Sequence, residues 1–380
     1  MGAGVAQIAL ENGHEVVLYD VDEAAIEGGR VRVREGLVRR AAKLDLDAES
    51  IDDWVDGRLA GLRQAEALVS IATQSDVIIE TALELLPLKQ DIFRALDAEA
   101  DPDTILATNT SSLRVTDVAA LAERRDRILG LHFFNPAPLM ALVEVVVTAE
   151  TDPAVIERAE RLLRSWDKTP VRSADLPGFI VNRVNRPFTL RALRLLETGA
   201  ASIEAVDAAI REVGFPLGPF ELMDLTGIDV TFAASTGIWE GLGRPDRLRP
   251  SEVQETRIGA GHLGRKTGEG FYRYEGGQRL RPAVEQPVPE AGRTSPPLAP
   301  SEICDRILLP IVDEAFRALA EGVAGEKDID TALRLGAAHP LGPFERARQL
   351  GGFGAVARRL RELAADDPTF APFMDMDQSA

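Results

Sequence analysis

The run Leu131-His132-Phe133-Phe134-Asn135-Pro136 closes a short apolar stretch at residues 128–131. Glu144 follows inside a second apolar stretch made by Leu142, Val143, Val145, Val146 and Val147. Both stretches read as buried strands, with the histidine where the first one ends. A buried carboxylate needs a partner, and removing that partner costs on the order of 3–5 kcal/mol. His132 is the nearest candidate in sequence, because the chain can double back between the two. A histidine held by a buried carboxylate makes a general base near neutral pH. The competing reading has His132 capping a strand and Glu144 facing solvent.

The elements that must position these groups alternate strand and helix. Residues 76–80 lead to Glu84, residues 104–108 lead to Asn109-Thr110-Ser111-Ser112, and residues 128–131 lead to His132. Helical patterns at 85–99 and 115–124 separate them. This alternation implies a parallel sheet, whose ligands bind outside the carboxyl ends of the strands. Ser111 and His132 are therefore expected at one rim with Glu84 close by, unless Ser111 only caps the following helix.

Earlier in the chain, Gly2-Ala3-Gly4 opens a helix, and residues 15–20 form a strand ending in Asp20. Glycines at a helix start followed by such an acid read either as an ordinary helix–strand unit or as the later part of a dinucleotide-binding βαβ unit. Met1-Gly2 would match the last two positions of its G-x-G-x-x-G. The first strand and first glycines are then expected upstream, in roughly 10–15 further residues, with Met1 an internal methionine. The helical stretch 21–43 carries Arg30, Arg32, Arg34, Arg39, Arg40 and Lys43, either as an anion-binding face or as a solvated one.

Composition bounds the rest. With 380 residues and 45% hydrophobic side chains, the chain can build two or three ordinary domains. A net charge of -18 argues against a nucleic-acid partner and against a surface that binds anionic membrane. No apolar run approaches the roughly 20 residues of a membrane span. Cys304 is the single cysteine, which fits a reducing compartment and leaves no cysteine-based metal spacing.

From residue 179 the pattern is helical without strands. Asn182 lies on the first turns of this region. Lys266 lies in the glycine-spaced loop Gly264-Arg265-Lys266-Thr267-Gly268. Residues 276–301 are rich in Pro and Gly and read as a linker. Beyond it, Leu217-Gly218-Pro219-Phe220-Glu221 recurs as Leu341-Gly342-Pro343-Phe344-Glu345, and Pro187 and Asp207 recur as Pro310 and Asp330. Matching signatures in matching order mean a duplicated α domain.

Asn109-Thr110-Ser111-Ser112, His132 to Pro136, Val143-Glu144-Val145, Pro177-Gly178-Phe179-Ile180-Val181-Asn182-Arg183 and Lys266-Thr267-Gly268-Glu269-Gly270-Phe271-Tyr272 together resemble the L-3-hydroxyacyl-CoA dehydrogenase family, over nearly the whole chain. The resemblance implies an α/β Rossmann-type domain, doubly wound with a mostly parallel sheet and its first strand missing, at 1–177. Two all-α domains, similar to the C-terminal domain of 6-phosphogluconate dehydrogenase, follow at 178–275 and 302–380, separated by a linker at 276–301.

It also implies NAD-dependent oxidation of (3S)-3-hydroxyacyl-CoA to 3-oxoacyl-CoA in fatty-acid or aromatic-acid degradation, in the cytoplasm. His132 would be the base and Glu144 its partner, with Ser111 and Asn182 on the substrate oxygens. NAD would touch Gly2, Asp20, Glu84, Lys89, Ser111, Asn135 and Lys266, and coenzyme A would touch Lys43. The expected partners are the acyl-CoA and either a second copy or an internal pseudo-dimer of the two α domains. Rival readings are a dehydrogenase of a small free hydroxy acid, as the gulonate dehydrogenases are, and a silent scaffold like the related lens crystallins.

Overall fold

The structure, a computed structural model, describes residues 1–44, 47–283, 298–373 and 376. The chain divides into two compact units, Met1–Leu176 and Pro177–Ala380. Among the described residues, no helix is long and apolar enough to cross a membrane.

The first unit runs α1 (Gly2–Glu11), β1 (Val16–Leu18), α2 (Glu23–Ala41), α3 (Ala48–Leu59), β2 (Leu62–Gln64), α4 (Leu68–Ala72), β3 (Val77–Glu80), α5 (Leu86–Glu99), β4 (Ile105–Thr108), α6 (Val115–Val118), β5 (Ile128–Phe133), β6 (Leu142–Val147), α7 (Pro153–Ser165) and β7 (Thr169–Ala174). Helix starts follow local chemistry. Asp22 and Asp152 each accept a backbone N–H from two residues on, and Pro153 takes the first turn of α7, where no N–H is needed.

The strands form two sheets, β1-β2 and β3-β4-β5-β6-β7. β3, β4 and β5 are parallel, whereas β6 runs antiparallel to β5 and β7 parallel to β6. The sheet is thus mixed at that end. Leu129, Leu131, Val143 and Val145 are buried with Val5, Ile8, Leu163 and Trp166 in one core cluster, so helices cover the sheet. Between β1 and β3 lies a cavity of about 1090 Å³, lined by Val16, Leu18, Val77 and Ile79 among others. The facing edges of β1 and β3 have no strand partner among the described residues.

The second unit runs α8 (Val181–Val184), α9 (Arg186–Glu197), α10 (Ile203–Glu212), α11 (Pro219–Thr226), α12 (Ile228–Gly241), α13 (Glu252–Gly259), β8 (Tyr272–Glu275), β9 (Gln278–Pro282), α14 (Pro300–Ala320), α15 (Glu326–Gly336), α16 (Pro343–Gln349) and α17 (Phe353–Ala364). The repeated Leu-Gly-Pro-Phe-Glu motif does the same work twice. Asp207 accepts the N–H groups of Phe220 and Glu221, and Asp330 those of Phe344 and Glu345. Glu221 and Glu345 reach back to the N–H of Gly218 and Gly342. A Cβ on Gly218 would lie 2.2 Å from the Asp207 carboxylate, and one on Gly342 2.3 Å from that of Asp330. Glycine is therefore needed where the buried carboxylate crosses the helix start.

Three expectations change. The helix expected at 115–124 keeps only one α turn, Val115–Val118, before tightening into 3-10 turns. The strand expected to end before His132 continues to Phe133, because β6 pairs with it there. The linker expected at 276–301 begins later and ends earlier. Gly276 and Gly277 both take positive φ and close the β8–β9 hairpin, and α14 already starts at Pro300. Residues 284–297 of that linker lie outside the described residues.

Candidate active site

The register of β5 and β6 places His132 directly opposite Glu144. Side chains opposite each other on neighbouring strands share a face, so the two must meet. His132 Nδ1 lies 2.6 Å from Glu144 Oε2, with side-chain exposures of 8% and 0%. The geometry assigns an Nδ1–H donated to the carboxylate, which makes Nε2 the nitrogen that can take a proton from a substrate. The Phe134 ring packs 4.6 Å from the imidazole, centroid to centroid.

The Asn109 to Ser112 turn is fastened to this strand. Asn109 Oδ1 accepts the N–H of Phe133 at 2.9 Å. Glu84 Oε1 accepts from the Thr110 hydroxyl at 2.6 Å, from the N–H groups of Ser111 and Ser112 at 2.9 and 3.0 Å, and from the Ser112 hydroxyl. Burial pushes the Glu84 carboxyl up, but these bonds and the Lys89 charge outweigh it and hold it below the usual range. Glu84 thus shapes the turn that presents Ser111, whose side chain is exposed. Lys89, expected to contact the cofactor, is buried. Its ammonium donates to both oxygens of buried Glu80, at 2.7 and 2.9 Å, and lies 3.4 Å from Glu84. Thr108 completes the Glu80 shell at 2.7 Å. A buried Glu80 needs that cation, so Lys89 positions the turn through Glu84.

Sequence reasoning missed Asn109 and Lys168. The buried Lys168 ammonium donates to the carbonyls of Ala137 and Met140 at 2.7 and 2.9 Å, tying down the loop after Asn135. Nothing in the pattern around Lys168 announces this. Asn109 opens the Asn-Thr-Ser-Ser motif, but its partner is a backbone N–H 24 residues away. Asn135 itself is exposed, and its peptide bond to Pro136 is cis.

The dinucleotide rim is built by α1, β1 and β3. Gly2 lies against Thr81, just past β3, close enough that a Cβ there would sit 2.8 Å from the Thr81 hydroxyl. The first turn of α1 has no side-chain cap and no acidic residue, so its N–H groups suit a pyrophosphate. Asp20 is exposed just past β1 and suits a ribose 2′-hydroxyl while repelling a 2′-phosphate. These residues fit NAD. The cations on α2 are partly matched: Arg34 meets Asp56 at 3.0 Å, and Arg39 and Arg40 each have a carboxylate at 3.8 Å. Lys43 stands exposed just beyond the helix.

In the second unit, Asn182 is half-buried on α8. The neighbouring Arg183 is fully buried, and its Nε donates to Glu314 at 3.0 Å while Nη1 donates to Glu321 at 2.8 Å. Both carboxylates come from the α14 region of the second repeat. Lys266 grips Asp229 at 2.6 and 2.7 Å and remains partly exposed.

Comparison with known proteins matches this architecture. Residues 1–176 match the model of the 3-hydroxyacyl-CoA dehydrogenase NAD binding domain, and residues 178–274 and 303–374 match that of its C-terminal domain. The chain is 34% identical to the 3-hydroxyadipyl-CoA dehydrogenase of Escherichia coli, covering 96% of this chain and 91% of the relative. It is 40% identical to the mitochondrial hydroxyacyl-coenzyme A dehydrogenase of Rattus norvegicus, over 72% of this chain and 88% of the relative. A solved structure of 3-hydroxybutyryl-CoA dehydrogenase from Escherichia coli superposes with a TM-score of 0.88 at 33% identity, covering 100% of this chain and 95% of that one. The chain therefore belongs to the 3-hydroxyacyl-CoA dehydrogenase family, whose members are NAD-dependent oxidoreductases.

Proposed function

We propose that His132 is the general base in the oxidation of a 3-hydroxyacyl-CoA to the 3-oxoacyl-CoA, with Glu144 as its orienting partner. The carrying observation is the buried Nδ1 to Oε2 contact of 2.6 Å, fixed by strand register. It turns Nε2 toward the role of proton acceptor and offers a counter-charge to the imidazolium that forms. NAD, when bound, supplies the hydride acceptor for the hydrogen leaving C3. Ser111 and Asn182 are assigned to the C3 oxygen, which they hold by hydrogen bonds. Gly2, Asp20, Glu84, Asn135 and Lys266 are assigned to the cofactor side, Glu84 acting by shaping the Ser111 turn. Lys43 is assigned to the coenzyme A phosphates, which suits an exposed cation.

The relatives are named for 3-hydroxybutyryl-CoA, 3-hydroxyadipyl-CoA and hydroxyacyl-coenzyme A, which supports a CoA ester as the substrate. Arg183, Glu314 and Glu321 support an internal pseudo-dimer of the two α repeats in place of a second copy. A single cysteine fits a reducing compartment, and the cytoplasm is proposed on that ground.

The test is NADH absorbance with a 3-hydroxyacyl-CoA and with its free acid. His132→Ala should lower kcat by roughly 10²–10⁴-fold. The Michaelis constant should change far less, because the imidazole acts on the proton in flight. Near-normal turnover in that variant would remove His132 from the mechanism, and equal use of the free acid would remove the CoA ester.

A further inference from the structure

Helix α7 ends on a Schellman turn. The N–H of Lys168 donates to the carbonyl of Leu163 at 3.0 Å, and that of Asp167 to the carbonyl of Arg164 at 3.1 Å. Two residues depart from the usual pattern. Asp167 takes the left-handed position, at φ 55°, which glycine fills without steric penalty. Lys168 stands where an apolar side chain ordinarily packs back on the helix, and it is only 8% exposed.

The Lys168 ammonium spends its three hydrogens on one short segment. It faces the carbonyls of Ala137 at 2.7 Å, Met140 at 2.9 Å and Pro138 at 3.5 Å. Residues 136–140 form a single turn, in which Leu139 and Met140 both donate to the Pro136 carbonyl. The carbonyls beyond Pro136 have no further turn to bond to, as at a helix C-terminus. Water could satisfy them, because Asn135, Pro136 and Leu139 are exposed. The chain instead buries a cation with no carboxylate within 4.0 Å among the described residues, which is costly. Burial holds the Lys168 pKa below the ordinary lysine value, the mark of that cost. What the ammonium adds over water is a fixed position for the turn.

That position matters to the site. The turn joins β5, which carries His132, to β6, which carries Glu144, and it begins directly after Asn135. Ala137 is buried with Val5 of α1 in one core cluster. A Cβ on Gly4, in the first turn of α1, would lie 3.3 Å from Ala137 Cβ and 3.2 Å from Pro138 Cδ. The turn therefore rests on the helix start whose N–H groups suit a pyrophosphate.

We propose that Lys168 is a positioning residue for the dinucleotide: it sets NAD affinity by holding the 136–140 turn, and with it Asn135, against the first turn of α1. The inference rests on the assignment of α1 and Asn135 to the cofactor side. The base is not part of it, since the contact of His132 with Glu144 is fixed by the register of β5 and β6. Losing the ammonium weakens dinucleotide binding and spares the chemical step.

The experiment uses Lys168→Met, which keeps most of the side chain's length and removes its charge and its donors. On the full chain, NADH fluorescence titration gives the dissociation constant, and NADH absorbance with 3-hydroxybutyryl-CoA gives kcat and both Michaelis constants. The variant should bind NADH about 10-fold more weakly or worse, the scale of a hydrogen bond to a charged group. KM for NAD should rise with it, while kcat at saturating NAD and KM for the ester change less than about threefold. A purely structural lysine would lower the melting temperature without that split. Unchanged NADH affinity, or kcat and both Michaelis constants moving together, overturns the proposal. If Lys168→Met does not fold, hydrogen exchange on the wild-type chain decides. NADH should slow exchange at the N–H groups of Leu139 and Met140, and unchanged exchange at both overturns the proposal. If the wild-type chain leaves the ester unoxidised while the variant loses NADH affinity, the proposed reaction falls and this inference stands. If the ester is oxidised and the variant keeps its NADH affinity, the reaction stands and this inference falls.

Discussion

His339 should make the stability of the helical unit depend on pH in a defined window. Its Nε2 donates to Asn185 Oδ1 at 2.8 Å, and its ring packs against Phe215 with centroids 4.8 Å apart. Asn185 is the residue between α8 and α9, so this contact from the second repeat braces the joint between Asn182 and Arg186. Burial, with Arg346 adding to it, pushes the imidazole from 6.5 down to about 3. The folded-state pKa is therefore depressed, and the neutral form is the one that folds. Between about pH 6.5 and 3 the unfolded chain binds a proton that the folded chain refuses. Stability from this group is thus complete above pH 6.5 and is lost as pH falls. Each pH unit costs about 1.4 kcal/mol, or about 2–3 kcal/mol by pH 4.5. Carboxylates also titrate there, so the assay compares wild type with His339→Gln, whose amide can still donate to Asn185 but does not titrate. Urea unfolding at pH 7.5, 5.5 and 4.5 should show a stability difference that is constant at the top and shifts by about 1.4 kcal/mol per unit below pH 6. A difference that stays flat to pH 4.5 would refute the reasoning.

Two further outcomes test the charged contacts. Glu144→Gln keeps the shape of the side chain but not its charge, and should lower kcat by about 10²-fold or more in the NADH assay, as losing the carboxylate behind a catalytic histidine does. Glu314→Ala removes the buried one of the two carboxylates on Arg183, leaving it only Glu321, and takes the partner from Arg247, and should cost about 3 kcal/mol in urea unfolding. Adding Arg183→Met to that variant should recover part of the loss, because the uncompensated charge is then gone.

What could be read from the chain was local. Strand and helix alternation and the His132 and Glu144 pairing need only short-range periodicity and a chain that doubles back over 12 residues. The Leu-Gly-Pro-Phe-Glu repeat was legible for the same reason, since its capping glutamate and its proline act within one helical turn. The Gly276-Gly277 turn carries a hairpin signal too, but the Pro- and Gly-rich tract that follows masks it. What escaped was which charges are buried. Lys89 and Arg186 sit in helices whose sequence gives a solvent-facing cation no different look from a buried one. Their environments are decided by partners on other elements: Glu80 and Glu84 for Lys89, Ser235 for Arg186.

Arg183 makes the point most sharply. Its neighbour Asn182 was legible from the motif Pro-Gly-Phe-Ile-Val-Asn-Arg, yet its own partner Glu314 lies 131 residues on, in the second repeat. The duplication therefore does more than lengthen the chain. It delivers Glu314, Glu321 and His339 onto α8 and the joint that follows, the turns bearing Asn182 and Arg186. A single repeat would leave Arg183 as an unpaired buried cation unless a second copy brought the same carboxylates. Carrying both repeats on one chain turns that requirement into an intramolecular one, independent of protein concentration.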